Sequence, residues 1–147
     1  MTSDVGALVR GFFNEAINTG DLDAFDRYCG LDYVWHGGAD PGGLGDVHGL
    51  ENFKRAVAMF FTGFPDLKVE ILDMLIDGER AAVRFRETGT HRGPFVGVAP
   101  TGNTITFAGM GIYRAEDGKL VEEWFVDDSR AIFEQIGAIP VIREASE

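Results

Sequence analysis

The chain has 147 residues, which suits one domain at roughly 100–200 residues each and leaves too little for two. Hydrophobic residues make up 45%, charged 25% and aromatic 12%, a globular balance that excludes disorder and collagen-like repeats. Lys and Arg number 13 against 24 Asp and Glu, so the net charge is −11, which argues against nucleic acid and anionic membranes as partners.

Val5, Leu8, Val9, Phe12, Phe13, Ala16 and Ile17 recur at three- and four-residue intervals. That spacing predicts an amphipathic helix, with Thr2, Ser3 or Asp4 as its N-cap and Asn18 to Gly20 as its end. Asp21 can cap a shorter helix on which Leu22, Phe25, Tyr28 and Cys29 face one way. Asp32 to His36 reads as a short strand. The ten residues 37–46 hold five glycines and a proline, so they are expected to form a surface loop. A third helix is predicted from Leu50 to Phe61, with Leu50, Phe53, Val57, Phe60 and Phe61 on one face, and Gly63 to Asp66 breaks it.

From there the period changes to alternation. Leu67, Val69 and Ile71 open a strand that Leu72, Met74 and Ile76 continue on the opposite parity, the mark of a bulge or of burial on both sides. Asp77-Gly78 is a hairpin turn, and Ala81, Val83 and Phe85 form the inward face of the next strand. After a loop over 89–103, Thr104 to Tyr113 is a strand, Asp117-Gly118 a second turn, and Leu120 to Asp128 the last strand. A short helix from Arg130 to Ile136 closes the chain. Helices followed by a run of antiparallel strands give an α+β fold. The expectation is a single domain over 1–147, a cone-shaped curved antiparallel sheet packed by N-terminal helices around an apolar cavity.

The lone cysteine, Cys29, excludes an internal disulfide and reads as a buried structural thiol. The start, MTSDVGALVR, has no secretory pattern, and no apolar run approaches the ~18 residues of a membrane span. A cytoplasmic protein with no membrane partner is expected. The chain lacks GxGxxG before a helix, GxxxxGK[ST], HExxH and GxSxG. Its three histidines, His36, His48 and His91, have no ligand spacing, so no metal and no cofactor are expected.

The remaining candidates are charged groups on faces that should be apolar. On the last strand, Leu120, Glu122, Trp124, Val126 and Asp128 share one face by the two-residue period. Asp128 on an apolar face would have a raised pKa and serve as a general acid or base. It could equally cap the helix that follows. Asp127 should then face away, as should Val121 and Phe125. Glu87 follows Phe85 on inward parity and either enters the cavity or reaches the rim to pair with Arg84 or Arg92. His36, beside Trp35 at the cavity mouth, either acts or merely packs, and His91, in a loop, either acts or is merely solvated. Trp35, Tyr33, Phe60, Trp124 and Glu87 are the expected substrate-binding set. Twelve phenylalanines leave apolar surface to line a pocket for a flat, multi-ring ligand.

The segments DYVWHGG (32–38), GLENFK (49–54), FPDL (64–67), GTHRGPFVGVAPTGN (89–103), YRAEDGKLVEEW (113–124) and DSRAIFEQIG (128–137) together resemble the SnoaL-like polyketide cyclases. These are also called ester cyclases, within the nuclear transport factor 2-like superfamily. The resemblance implies a cone-shaped barrel that closes a ring in an aromatic polyketide methyl ester by intramolecular aldol condensation, without cofactor or metal. It also implies an aspartate acid/base at the end of the last strand, which falls on Asp128, with His91 and His36 lining the pocket. Two departures stand out: Ala131 occupies a position commonly glycine, and the Asp127-Asp128 doublet leaves the acid/base ambiguous by one residue. Strand parity favours Asp128.

The expected function is therefore cofactor-independent ring closure of a polyketide-like hydrophobic molecule, catalysed by Asp128 with His36 or His91 polarising the carbonyl, in a homodimer. Two alternatives remain. One is a cofactor-independent epoxide hydrolase, with Arg84 or Arg86 linking Asp128 and Glu87. The other is a non-catalytic binding or association domain, because this fold hosts many functions.

Overall fold

The computed structural model describes residues 4–37 and 45–141. Thr2 and Ser3, two of the candidate N-caps, and residues 38–44 of the glycine-rich loop lie outside them. Asp4 caps α1 (Val5–Gly11), its Oδ1 accepting from Ala7 N at 3.1 Å. The helix runs on as a π-helical segment, Phe12–Ile17, which buries Phe12, Phe13, Ala16 and Ile17. Asn18 then pins the helix end to the sheet. Its Oδ1 accepts from Val69 N at 2.6 Å and its Nδ2 donates to Val69 O at 3.0 Å.

A 3₁₀ turn (Leu22–Ala24), capped by Asp21, leads into the one-turn α2 (Phe25–Tyr28). Gly11 lies against this turn, and a Cβ there would fall 2.1 Å from Tyr28 Cε1. β1 (Cys29–His36) begins earlier than its aromatic core, so Cys29 opens a strand and is not helical. β2 (Asp46–His48), which was not expected, starts at the last residue of the glycine-rich segment. After α3 (Leu50–Gly63) come β3 (Lys68–Asp77), β4 (Arg80–Thr90), β5 (Thr104–Glu116), β6 (Lys119–Asp127) and α4 (Ser129–Gln135).

The sheet is curved and unclosed, with order β2-β1-β6-β5-β4-β3. It is mixed where an antiparallel sheet was expected, because β1 runs parallel to β6, with Trp35 opposite Glu123 and His36 opposite Trp124. The parity change read in β3 is a bulge between Ile71 and Asp73. The helices cover the inner face. Phe12 and Phe13 of the π-helical segment meet the Tyr113 ring, each with centroids 5.7 Å apart, while Phe53 of α3 meets Tyr33 at 4.9 Å and Trp35 at 6.0 Å. Burial of such rings, not helix propensity, stabilises segments this short. No helix among the described residues is long and apolar enough to cross a membrane.

Candidate active site

One extra residue in β6 decides which side chains face the cavity. Arg114 of β5 pairs with Glu122, yet Ala115 pairs with Leu120, so Val121 is skipped in the ladder. A bulge of this kind shifts strand parity by one. Leu120 therefore faces inward, and so do Glu123, Phe125 and Asp127 beyond the bulge. Across the ladder Glu123 stands beside Tyr113, Phe125 beside Gly111 and Asp127 beside Gly109. The two glycines make room for rings. A Cβ on Gly109 would lie 2.6 Å from Phe85 Cε2, and Phe85 stacks on Phe125 with centroids 5.4 Å apart at 15°.

These residues enclose a cavity of about 60 Å³ between sheet and helices. Phe12, Phe13, Trp35, Phe53, Phe60 and Phe125 supply much of its apolar wall, and Glu87, Glu123 and Asp127 its carboxylates. At roughly 10–15 Å³ per water, it holds a few small groups and not a fused-ring system.

Glu87 and Glu123 are 8% and 3% exposed. Burial pushes the Glu87 carboxyl well above the usual carboxylate range, and the charges of Asp127 and Glu123 push it the same way. Burial likewise pushes Glu123 up to about 7, partly offset by the nearby Tyr33 and Tyr113 hydroxyls. Both phenols are fully buried, and neither hydroxyl meets a partner at hydrogen-bonding geometry. Their own pKa values rise well above normal through burial and the Glu123 charge, so they remain donors.

The expected residues scatter around this site. Glu87 points into the cavity, and Trp35 and Phe60 line it. Tyr33 is buried beside Glu123. Asp128 does not enter: it is exposed and caps α4, its Oδ1 accepting from Ala131 N at 3.2 Å. Asp127, expected to face away, is the inward member of the doublet, and Phe125 likewise faces in.

His36 and Trp124 sit on the outer face of the sheet, stacked with centroids 5.1 Å apart. His36 Nε2 lies 2.7 Å from Glu122 Oε2 and its Nδ1 3.0 Å from Asp46 Oδ2. Arg114 Nε donates to Glu122 Oε1 at 3.0 Å, completing a polar cluster away from the cavity. His91 is buried outside the cavity lining. Its Nδ1 accepts from Thr101 N at 3.2 Å, and its ring lies 5.6 Å from that of Phe64. Arg84 and Arg86 are also on the outer face, paired with Asp73 at 2.8 Å and Glu70 at 3.5 Å. The carboxylate–arginine–carboxylate chain of an epoxide hydrolase is therefore not formed at these residues.

The sequence reading missed Glu123, Asp127 and Tyr113. The signal was available: Leu120 and Phe125 are both apolar on opposite parities, as in β3. Among the described residues, no group of three or more His, Cys, Asp or Glu is placed to hold a metal ion.

Comparison with known proteins places this geometry in a family. A candidate SnoaL-like polyketide cyclase from Jannaschia sp. CCS1 has 25% identity and a TM-score of 0.81, covering 92% of this chain and 93% of that one. AclR, a candidate hydroxylase from Streptomyces galilaeus, has 27% identity and a TM-score of 0.82, covering 96% and 85%. IdmH, a candidate polyketide cyclase from Streptomyces antibioticus, has 27% identity and a TM-score of 0.78, covering 91% and 99%. A pathogen-related protein of Hordeum vulgare is 32% identical over 76 residues, and the match spans 50% of this chain and 32% of that protein. The family model described as SnoaL-like polyketide cyclase matches residues 7–136, and the chain belongs to that family.

Proposed function

We propose that the protein is a cofactor-independent acid/base enzyme that closes a ring in a small apolar carbonyl compound by intramolecular aldol addition. One observation carries this reading: Glu87 and Asp127 share the wall of a cavity that is otherwise largely apolar. The first stays protonated because it is buried beside other carboxylates. Asp127 is only half-buried where Glu87 is buried, and carboxylates in unlike surroundings can divide the acid and base roles.

Asp127 removes a proton from the carbon next to one carbonyl. The enolate carbon attacks the second carbonyl of the same molecule, a carbon–carbon bond forms, and Glu87 donates its proton to the developing alkoxide. The proton on Asp127 then returns to Glu87, so the product is an isomer of the substrate and no co-reactant is needed. Positioned proton transfer contributes about 10²–10⁴-fold, and holding both carbonyls together contributes further. The family and the candidate cyclases among its structural relatives support this choice of chemistry.

The test is ring closure of 2,6-heptanedione, followed by NMR. Asp127→Asn should lower turnover about 10²–10⁴-fold. Asp128→Asn should leave turnover and melting temperature close to wild type, since Asn and Asp cap helices about equally. Full activity in Asp127→Asn, or loss of activity only in Asp128→Asn, overturns the assignment, as does a wild-type protein that closes no ring.

A further inference from the structure

Two buried hydroxyls near the cavity, those of Tyr33 and Tyr113, lie close to Glu123 yet make no hydrogen bond of good geometry. Buried donors without a well-aligned acceptor are rare in folded proteins, because the water they lose is only partly replaced. Tyr113 and Glu123 are neighbours across the β5–β6 ladder, and both line the cavity. Gly111, two residues earlier on the same inner face, leaves the Tyr113 ring its space. A Cβ there would lie 3.0 Å from Tyr113 Cε2 and 3.3 Å from its Oη. The ring thus leans along β5 past Gly111, and its hydroxyl ends one inner pair short of Gly109 and Asp127.

We infer that Tyr113 and Glu123, with Tyr33 behind them as a positioning residue, anchor the carbonyl oxygen of a small apolar ketone inside the cavity. This deepens the acid/base reading above and rests on it for the chemistry that follows binding. The donors call for an acceptor oxygen, and the phenylalanine wall calls for a hydrocarbon body. An anion is disfavoured by the Asp127 charge on the same wall, the charge that also helps keep Glu87 protonated. With the oxygen held at Tyr113, the adjacent carbon falls on the Asp127 side, where its proton is to be removed.

The experiment uses cyclopentanone labelled with ¹³C at the carbonyl, followed by infrared difference spectroscopy and by titration. In the wild type the bound carbonyl band should lie below its position in hexane. Tyr113→Phe, which removes one oxygen atom, should return the band toward the hexane position and weaken binding roughly threefold to tenfold, the worth of one hydrogen bond. Gly111→Ala, which pushes the hydroxyl aside, should do the same and serves if Tyr113→Phe fails to fold. Asp127→Asn should keep the shifted band.

No binding of cyclopentanone, a wild-type band at the hexane position, a band indifferent to both variants, or tighter binding of cyclopentylamine each overturns the anchor. A shifted band that Tyr113→Phe removes, in a protein that closes no ring, leaves the anchor standing and overturns the catalytic reading alone. Ring closure at the wild-type rate in Tyr113→Phe overturns the anchor alone.

Discussion

His36 is held between two carboxylates on the outer face, and its side chain is 26% exposed. Glu122 is the main cause of its raised pKa, with Asp46 acting in the same direction. A histidine whose folded pKa exceeds its unfolded value of about 6.5 stabilises the fold fully below that pH. The contribution is lost as pH rises through the folded value. His36→Gln should therefore lower the melting temperature most near pH 6, and the gap to wild type should narrow by about pH 9. Turnover should not change, because the ring lies outside the cavity. A gap that stays constant across this range in thermal melts would count against the ion-pair account. His36 is legible as a histidine beside Trp35 at the end of an aromatic strand, but its partners Glu122 and Trp124 on β6, and its side of the sheet, are not. Beyond Leu120 the last strand carries charged and apolar residues on both parities, so alternation alone cannot place Glu122 against Glu123 or Asp127 against Asp128. Val121, the residue skipped in the ladder, settles all of these positions at once.

The outer surface of β5 and β6 carries Met110, Ile112 and Val126, each exposed by 43% or more. Met110 pairs with Val126 and Ile112 with Trp124, so the side chains form one apolar strip across two adjacent strands. Monomeric proteins seldom leave such a strip open to water. A homodimer through this face is the expected state, and light scattering at micromolar concentration should give twice 16.1 kDa. Val126→Lys should give the monomer, since a buried unpaired charge opposes association. A wild-type monomer would end the idea. Tight turns were the most readable elements. Asp77-Gly78 and Asp117-Gly118 need left-handed backbone, and Gly78, Asp117 and Gly118 have φ of 60°, 51° and 78°. The parallel pairing of β1 with β6 was unreadable, because it joins His36 to Trp124 and leaves no local mark on either strand.

Over the whole molecule, helices that precede the main strands and close their inner face were legible from periodicity, and so was an apolar interior. The size of the cavity was not, because it depends on how far each ring leans into it, and glycines such as Gly109 and Gly111 decide that in three dimensions. The net charge is −11, and three of the acidic groups, Glu87, Glu123 and Asp127, lie on the cavity wall. Stability of the fold and chemistry of the site meet at these groups. A carboxyl kept protonated by burial favours the folded state at low pH, and that contribution is lost as pH rises and the unfolded chain ionises first. The proposed chemistry uses the inner face and not the helix cap at Asp128. The most direct measurement is a ¹³C NMR titration of the side-chain carboxyls of Glu87 and Glu123, assigned by Glu87→Gln and Glu123→Gln. The expected midpoint is near 7 for Glu123 and well above the usual carboxylate range for Glu87. Both groups titrating at about 4.3, as free glutamates do, would contradict it.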